Sequence, residues 1–103
     1  MAPRHKFKFE TDYINEAFRC GIATLTIRAK ASASLGALGA DVTDVNYVFR
    51  TGRVVVSDMI DRRGLWHVRG KTVDDLELEL IVAVESSEVD IDLLAVLEVR
   101  LVE

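Results

Sequence analysis

The second half of the chain alternates apolar and polar residues with a period of two, and this pattern restricts the fold most. From Leu76 to Glu85, leucine and valine occupy the even positions, and glutamate occupies three of the odd ones. A second alternating run extends from Val89 to Arg100. A period of two with one apolar face is typical of strands in a half-buried sheet. We therefore predict a sheet that buries one face against another layer.

Short turn sequences divide this half into four strands. The predicted strands, in chain order, are about 53–60, 65–72, 76–85 and 88–101. Gly64, at the end of the turn 61–64, is expected to take a positive φ in a hairpin loop of three to four residues. Because connections this short join only antiparallel neighbours, the four strands are predicted to form a meander.

The first half predicts helices bounded by capping residues and glycines. Their predicted limits are Thr11 to Gly21, then 28–39, then Asp41 or Thr43 to 51–52. Residues 22–27 could form a brief extended piece, and the basic residues 1–10 are expected to be mobile. Helices followed by a meander indicate an α+β fold, with two to three N-terminal helices on a four-stranded antiparallel sheet. We predict a single domain spanning residues 1–103.

The alternation also predicts register and faces. Trp66, taken as a core residue, should lie near Ile60, while Val68 should lie near Leu78 and Leu80 near Leu93. The same phase leaves an apolar strip on the outer face. An apolar strip on a face that should be exposed to solvent indicates contact with a partner protein or with a second copy of the chain. The predicted interface residues are Val55, Met59, Ile81, Leu94 and Val96.

Composition narrows the class of protein. The single cysteine, Cys20, excludes an internal disulfide framework and fits a reducing compartment. The apolar runs are too short to span a bilayer, so we expect a cytoplasmic protein without a membrane partner. The two histidines, His5 and His67, have no cysteine beside them, so neither a metal site nor a cofactor is expected.

Charge is divided unevenly between the two parts of the chain. Residues 1–72 contain 12 basic and 7 acidic residues, whereas residues 73–103 contain 1 basic and 10 acidic residues. Such a separation of charge along the chain can indicate a basic ligand-binding surface beside an acidic one. The alternative, which we favour, is that the last two strands simply need charged residues at their solvated outer positions. Adjacent basic and acidic strands would also pair across the sheet.

One cluster of side chains on the predicted outer face is suited to acid–base chemistry and to phosphate binding. His67, Arg69 and Lys71 alternate along one strand, and Arg62 and Arg63 lie in the adjoining turn. Histidine exchanges protons near neutral pH, and arginine binds phosphate through two hydrogen bonds. The structural alternative is that His67 only pairs with Glu79 on the next strand, and Arg69 with Glu77 or Glu79. We favour it for each residue taken alone.

The layout resembles the RelE-like toxin superfamily, and its nearest branches are the MqsR-type toxins and a related uncharacterised bacterial family. The similar features are the alanine-rich segment containing Leu-Gly, the Arg-Thr-Gly sequence at 50–52, and a tryptophan strand leading into Gly-Lys-Thr at 70–72. Most of the resemblance lies in residues 64–99, and it extends over roughly residues 12–100.

The resemblance implies a function. RelE-like toxins cleave messenger RNA by attack of a 2′-hydroxyl on the adjacent phosphate, and small antitoxin proteins bind them. The resemblance implies that His67 and Arg69 are catalytic. It also implies that Arg62, Arg63 and Lys71 bind RNA phosphates. The expected activity is a metal-independent endoribonuclease in a bacterial toxin–antitoxin system. No DNA partner is expected.

Two other hypotheses stay open. MqsR-type toxins carry a lysine late in the first meander strand and a tyrosine on the third; this chain has Ser57-Asp58 and Glu77 or Glu79 in those regions. A catalytically inactive relative that binds a protein or forms a homodimer is therefore the second hypothesis. A domain that binds a small ligand or a metal on its acidic sheet face is the third.

Overall fold

The computed structural model describes residues 6–21, 25–88 and 90–103. In this part of the chain, three helices and five strands form an α+β structure. The elements are α1 Lys8–Arg19, β1 Thr26–Ile27, α2 Ala29–Ala37, α3 Val42–Thr51, β2 Arg53–Ile60, β3 Arg63–Lys71, β4 Glu77–Ser86 and β5 Ile91–Leu101. The strands form one mixed sheet in the order β1-β5-β4-β3-β2. None of the described helices is long and apolar enough to cross a membrane.

The predicted meander is present, but the sheet has a fifth strand. β2 to β5 pair with their chain neighbours in antiparallel fashion. β1 joins the free edge of β5 in parallel, where Thr26 and Ile27 pair with Ala95 and Val96. Residues 22–24 of the predicted extended piece lie outside the described residues. Two residues are too few for a recognisable alternation, so the sequence predicted four strands in the sheet rather than five.

The first helix begins earlier than predicted. It starts at Lys8, so residues 8–10 are helical rather than mobile, and residues 1–5 lie outside the described part. Thr11 is not its cap: the residue is buried, and its hydroxyl accepts a hydrogen bond of 2.9 Å from the Val54 amide. Thr11 therefore joins α1 to β2. The predicted stop at Gly21 is confirmed by its φ of 70°.

The other two helices follow the predicted limits closely. Gly39, just after α2, has a φ of 73°. Asp41 caps α3 because its carboxylate accepts hydrogen bonds from the amides of Thr43 and Asp44. Asp44 in turn accepts one from the Asp41 amide, which completes a capping box. Of the two predicted caps, Asp41 rather than Thr43 has the role.

All three helices pack on one face of the sheet and form the core with it. Trp66, predicted to be buried, is 2% exposed and meets the Tyr13 ring edge-on at 6.4 Å between centroids. The core comprises Ile14, Ala31, Leu35, Val45, Val48, Phe49, Val54, Trp66, Val68, Leu78, Leu80, Val82, Val84, Val96 and Val99. It combines the apolar face of each helix with alternate residues of the strands, as their periodicities predict.

Bulges in β2 and β5 change the register that the sequence predicted. The β2–β3 ladder shifts between Val54 and Val56, so Ser57 pairs with Trp66, the position predicted for Ile60. Because a shift of one residue reverses the faces, Met59 packs against the core and not on the outer face.

The β4–β5 ladder also shifts twice. One shift lies between Ile81 and Val82, and the other between Ala83 and Val84. These shifts turn Val96 into the core, where it is fully buried. Leu80 pairs with Val99 and not with Leu93, because β5 contains extra residues that the alternation does not reveal. Val68 pairs with Leu80 and not with Leu78, because the connection between β3 and β4, residues 72–76, is longer than predicted.

The β2–β3 hairpin is tighter than predicted. Ile60 pairs with Arg63, so only Asp61 and Arg62 form the loop, and Asp61 takes the positive φ of 58°. Gly64 lies inside β3 and does not have the predicted positive φ. A Cβ atom there would lie 2.1 Å from the carbonyl oxygen of Asp58, so the position requires glycine for close approach of the backbones.

A second close approach seats the end of α3 on β3. A Cβ atom on Gly52 would lie 2.6 Å from the carbonyl oxygens of both Arg69 and Val48. A Cβ atom on Gly70 would lie 2.9 Å from the Gly52 Cα atom. Two glycines therefore let the two backbones touch, and this contact sets one end of the sheet against the helices.

Gly52→Ala is expected to destabilise the protein by about 1–3 kcal/mol, because backbone atoms must move to admit the methyl group. Gly36→Ala is the matched control: it lies in α2 with nothing within 4 Å of the added Cβ. There alanine should stabilise the helix by about 0.5 kcal/mol. Urea unfolding of both variants measures the difference. Equal stability of the two variants would contradict the close approach at Gly52.

Candidate functional site

The face of the sheet opposite the helices is open: none of the described helices packs on it. Side chains on this face line up in rows across β2 to β5. One row is formed by Arg53, Arg69, Glu79 and Arg100, each paired in register with the next. We call it the arginine row. Its three positive charges and one negative charge give it a net charge of +2 at neutral pH, although the whole chain has a net charge of −4.

Glu79 is the centre of this row. Its side chain is 11% exposed, and Oε1 accepts hydrogen bonds from Arg69 Nη2 at 2.8 Å and Nε at 3.3 Å. Its other oxygen, Oε2, lies 3.1 Å from His67 Nδ1 and 3.9 Å from Arg100 Nη1. One nearly buried carboxylate thus holds three side chains that can donate hydrogen bonds.

The charge of Glu79 determines the role of His67. Burial raises the pKa of the Glu79 carboxyl, but the hydrogen bonds from Arg69 and His67 outweigh burial, and the pKa lies below its ordinary value. The carboxylate is therefore ionised at neutral pH and can only accept. His67 must donate from Nδ1, and this leaves Nε2 as the nitrogen that can exchange a proton with a ligand.

The ion pairs continue from Glu79 to α2. Arg100 Nη2 donates to Glu98 at 3.0 Å, and the Lys30 ammonium donates to the other oxygen of Glu98 at 2.9 Å. The hydrogen bond from Lys30 lowers the pKa of the Glu98 carboxyl. We use the name Glu79 network for the connected set His67, Arg69, Glu79, Arg100, Glu98 and Lys30.

A cleft of about 860 Å³ adjoins the network at the end of the sheet where α1, α3, β2 and β3 meet. The Asn15 amide joins two of these elements by donating to the carbonyl oxygens of Phe49 and Gly52, at 2.7 and 3.1 Å. Arg69 belongs to both the network and the cleft wall. The charged residues of the wall include Lys8, Asp12, Arg53, Arg69, Lys71 and Glu77.

The structure brings together only part of the predicted phosphate-binding set. Lys71 lines the cleft and pairs with Asp75 at 3.4 Å. Arg62 and Arg63 lie at the other end of β3, and Arg63 is six residues, or about 20 Å, from Arg69. Arg62 pairs with Glu88 at 3.4 Å, and Arg63 pairs with Glu85 at 3.8 Å. These two arginines are not placed to act with His67.

The predicted partner strip is not assembled. Met59 and Val96 face the helices, and Val55 lies at the β2 bulge. Ile81 is on the outer face, in register between His67 and Glu98, but it is only 4% exposed. Leu94 remains 45% exposed at an irregularity of β5. The bulges therefore divide a strip that is continuous in the sequence pattern.

The uneven charge of the chain is largely balanced within the sheet. β3 supplies cations and β4 supplies carboxylates, and the two strands pair Arg63 with Glu85, Arg69 with Glu79, and Lys71 with Glu77 in register. This arrangement agrees with the expectation that adjacent basic and acidic strands pair across the sheet.

Sequence reasoning missed Arg53, Arg100, Glu98 and Lys30 as neighbours of His67. The four residues lie on β2, β5 and α2, and their proximity depends on register and on the packing of α2 beside β5. The positions of Arg53 and Arg69 on either side of a hairpin were a usable signal. Their pairing becomes visible only when the two-residue loop and the bulge are known.

Among the described residues, no group of three or more histidine, cysteine, aspartate or glutamate side chains is arranged to hold a metal ion. Comparisons with models of known protein families, with curated proteins and with solved structures found no match to this chain. The chemistry of the site therefore has to be inferred from its own geometry.

Glu79→Gln should destabilise the fold at neutral pH by about 1–2 kcal/mol, because Arg69 and His67 lose a charged acceptor. A lowered pKa in the folded state means that ionised Glu79 stabilises the protein above its unfolded pKa. That stabilisation is lost as the pH falls through the folded value. The difference in the free energy of unfolding between wild type and variant should therefore be largest at pH 7 and should disappear in acid.

Glu85→Gln is the control for this measurement. Its ion pair with Arg63 is long and exposed, so its loss should change stability by less than about 0.5 kcal/mol. Urea unfolding of the three proteins between pH 3 and 8 tests both statements. A Glu79→Gln effect that is constant with pH would show that the carboxylate charge does not stabilise the fold.

Proposed function

We propose that the chain binds single-stranded RNA on the open face of its sheet and cleaves the backbone without a metal ion. The observation that supports this most is the Glu79 network, in which one carboxylate contacts an imidazole and two guanidinium groups on the open face of the sheet. A base and nearby cations are what attack of a 2′-hydroxyl on phosphate requires.

The residues have distinct roles in this reaction. Glu79 keeps Nδ1 of His67 protonated, and Nε2 takes the proton from the 2′-hydroxyl. The 2′-oxygen bonds to phosphorus while the bond from phosphorus to the 5′-oxygen breaks, and water protonates the leaving oxygen. Arg69 and Arg100 stabilise the negative charge that develops on the phosphate oxygens. The products are a 2′,3′-cyclic phosphate and a 5′-hydroxyl.

The local charge supports a polyanionic substrate. The arginine row has a net charge of +2, and the guanidinium of Arg53 has no carboxylate partner among the described residues. A local positive field attracts an anion even when the whole chain is acidic. The overall charge of −4 suits a weak or transient RNA contact better than tight unspecific binding.

The cellular role follows from the resemblance in the sequence and not from the site alone. The Gly-Lys-Thr sequence at 70–72 and the Arg-Thr-Gly sequence at 50–52 resemble the RelE-like toxins. We therefore propose that the protein is the toxin component of a bacterial toxin–antitoxin system, inhibited by a small partner protein.

The alternative is a catalytically inactive module that keeps this face for structural or protein-binding purposes. Its support is that Arg69, Arg100 and Lys30 are each paired with a carboxylate of the chain itself. Cross-strand ion pairs of this kind stabilise a sheet without any catalytic role. The activity of matched variants distinguishes the two.

His67→Asn is the sharpest variant, because the asparagine amide can still donate to Glu79 at the position of Nδ1 but has no group in place of Nε2. We expect it to cleave a labelled single-stranded RNA about 10²–10⁴-fold more slowly than wild type. Glu85→Gln should keep full activity. Wild-type cleavage should persist in EDTA and should stop when the 2′-hydroxyl at the cut is replaced by hydrogen.

Induced expression in a bacterial host provides the second measurement. Growth arrest with cut transcripts from the wild type, but not from His67→Asn at equal protein level, agrees with the toxin proposal. Folded wild-type protein that neither cuts RNA nor slows growth would remove the ribonuclease proposal and leave the inactive module.

A further inference from the structure

We propose that the cleft beside the network is a subsite for an RNA phosphate that neighbours the scissile one, with Arg53 as its main ligand. This inference rests on the proposed function, since it extends the same strand of RNA from His67 into the cleft. It assigns a binding role to Arg53, which is not among the predicted site residues.

The first observation is an unfavourable pair of like charges. Arg53 and Arg69 are directly opposite each other on β2 and β3 and lie on the same face of the sheet. Like charges opposite each other destabilise an antiparallel pair. Arg69 is neutralised by Glu79, whereas Arg53 has no ion pair with any described carboxylate. An unneutralised arginine facing a second arginine is suited to bind an anion between them.

The second observation is the cleft itself. Its volume, about 860 Å³, is within the range of sites that bind small molecules and is large enough for a nucleotide. Arg53 and Arg69 both line it, so their guanidinium groups belong to the wall of one cleft.

The other cations of the cleft are already balanced. Lys8 pairs with Asp12 at 2.6 Å, and Lys71 pairs with Asp75 at 3.4 Å. Their charges are offset locally. Among the described residues of the wall, Arg53 is the cation without an ion pair, and Glu77 is the carboxylate without one. This separates Arg53 from Lys71, which the sequence predicted as the phosphate ligand at this end of β3.

The third observation is continuity with the reacting group. His67 and Arg69 are two residues apart on the same face of β3, which is about 7 Å along the strand. Such a displacement is comparable to one nucleotide of an extended strand. A phosphate held between Arg53 and Arg69 thus lies one nucleotide away from a phosphate next to His67 Nε2.

Binding of an uncleavable probe tests the subsite separately from catalysis. The probe is a fluorescent single-stranded 2′-O-methyl RNA, whose blocked 2′-oxygens cannot attack phosphate. Fluorescence anisotropy over a series of NaCl concentrations gives both the affinity and its salt dependence. Arg53→Gln should weaken binding roughly ten-fold at low salt and reduce the slope of log K against log salt by about 0.7, the loss of one phosphate contact.

Arg28→Gln is the matched control. Arg28 is an exposed arginine without an ion pair among the described residues, and it lies beyond β5 at the opposite edge of the sheet. Its loss removes the same charge from the chain but should change the affinity less than about two-fold. Arg53→Gln should also melt at an equal or higher temperature than wild type, because it removes the repulsion from Arg69.

The outcomes separate the two proposals. Equal weakening by Arg53→Gln and Arg28→Gln overturns the subsite but leaves the ribonuclease proposal standing. If the wild type binds the probe, loses affinity in Arg53→Gln, and cleaves no RNA, the subsite proposal is supported and the ribonuclease proposal is overturned. No binding of the probe to folded wild-type protein overturns the subsite, and cleavage of an ordinary RNA then decides the ribonuclease by itself.

Discussion

The register between β3 and β4 determines both faces of the sheet. These two strands pair without interruption from Arg63 with Glu85 to Lys71 with Glu77. Because side chains alternate, this one register places Trp66, Val68 and their partners against the helices, and it places His67 and Arg69 beside Glu79 on the open face. A slip of one residue would bury the ionic groups and expose the core. The apolar face therefore enforces the geometry of the polar one.

The strands on either side are less regular, and their bulges adapt the sheet to its two faces. The bulge in β2 turns Met59 toward the core and leaves Arg53 opposite Arg69. The shifts in β5 turn Val96 into the core, while Arg100 remains on the open face opposite Glu79. The extra residues in β2 and β5 thus keep the core filled, while the arginine row stays on the open face.

The Glu79 network combines stability with a capacity for chemistry. A carboxylate this little exposed must be compensated, and here the compensating groups are two arginines and a histidine. The same contacts favour the His67 tautomer that has its proton on Nδ1. Arg53 differs, because it adds a charge that the fold does not neutralise. A structural network has no need of that charge, whereas a surface that binds phosphate does.

The sequence by itself determined the α+β class, the limits of most helices and strands, the burial of Trp66, and the presence of His67 and Arg69 on the outer face. These follow from periodicity and capping, which act over a few residues. It did not determine β1, the bulges, the burial of Met59 and Val96, or the meeting of Arg53, Glu79 and Arg100. Those depend on pairing between residues far apart in the chain, and a local alternation does not show where a strand contains an extra residue.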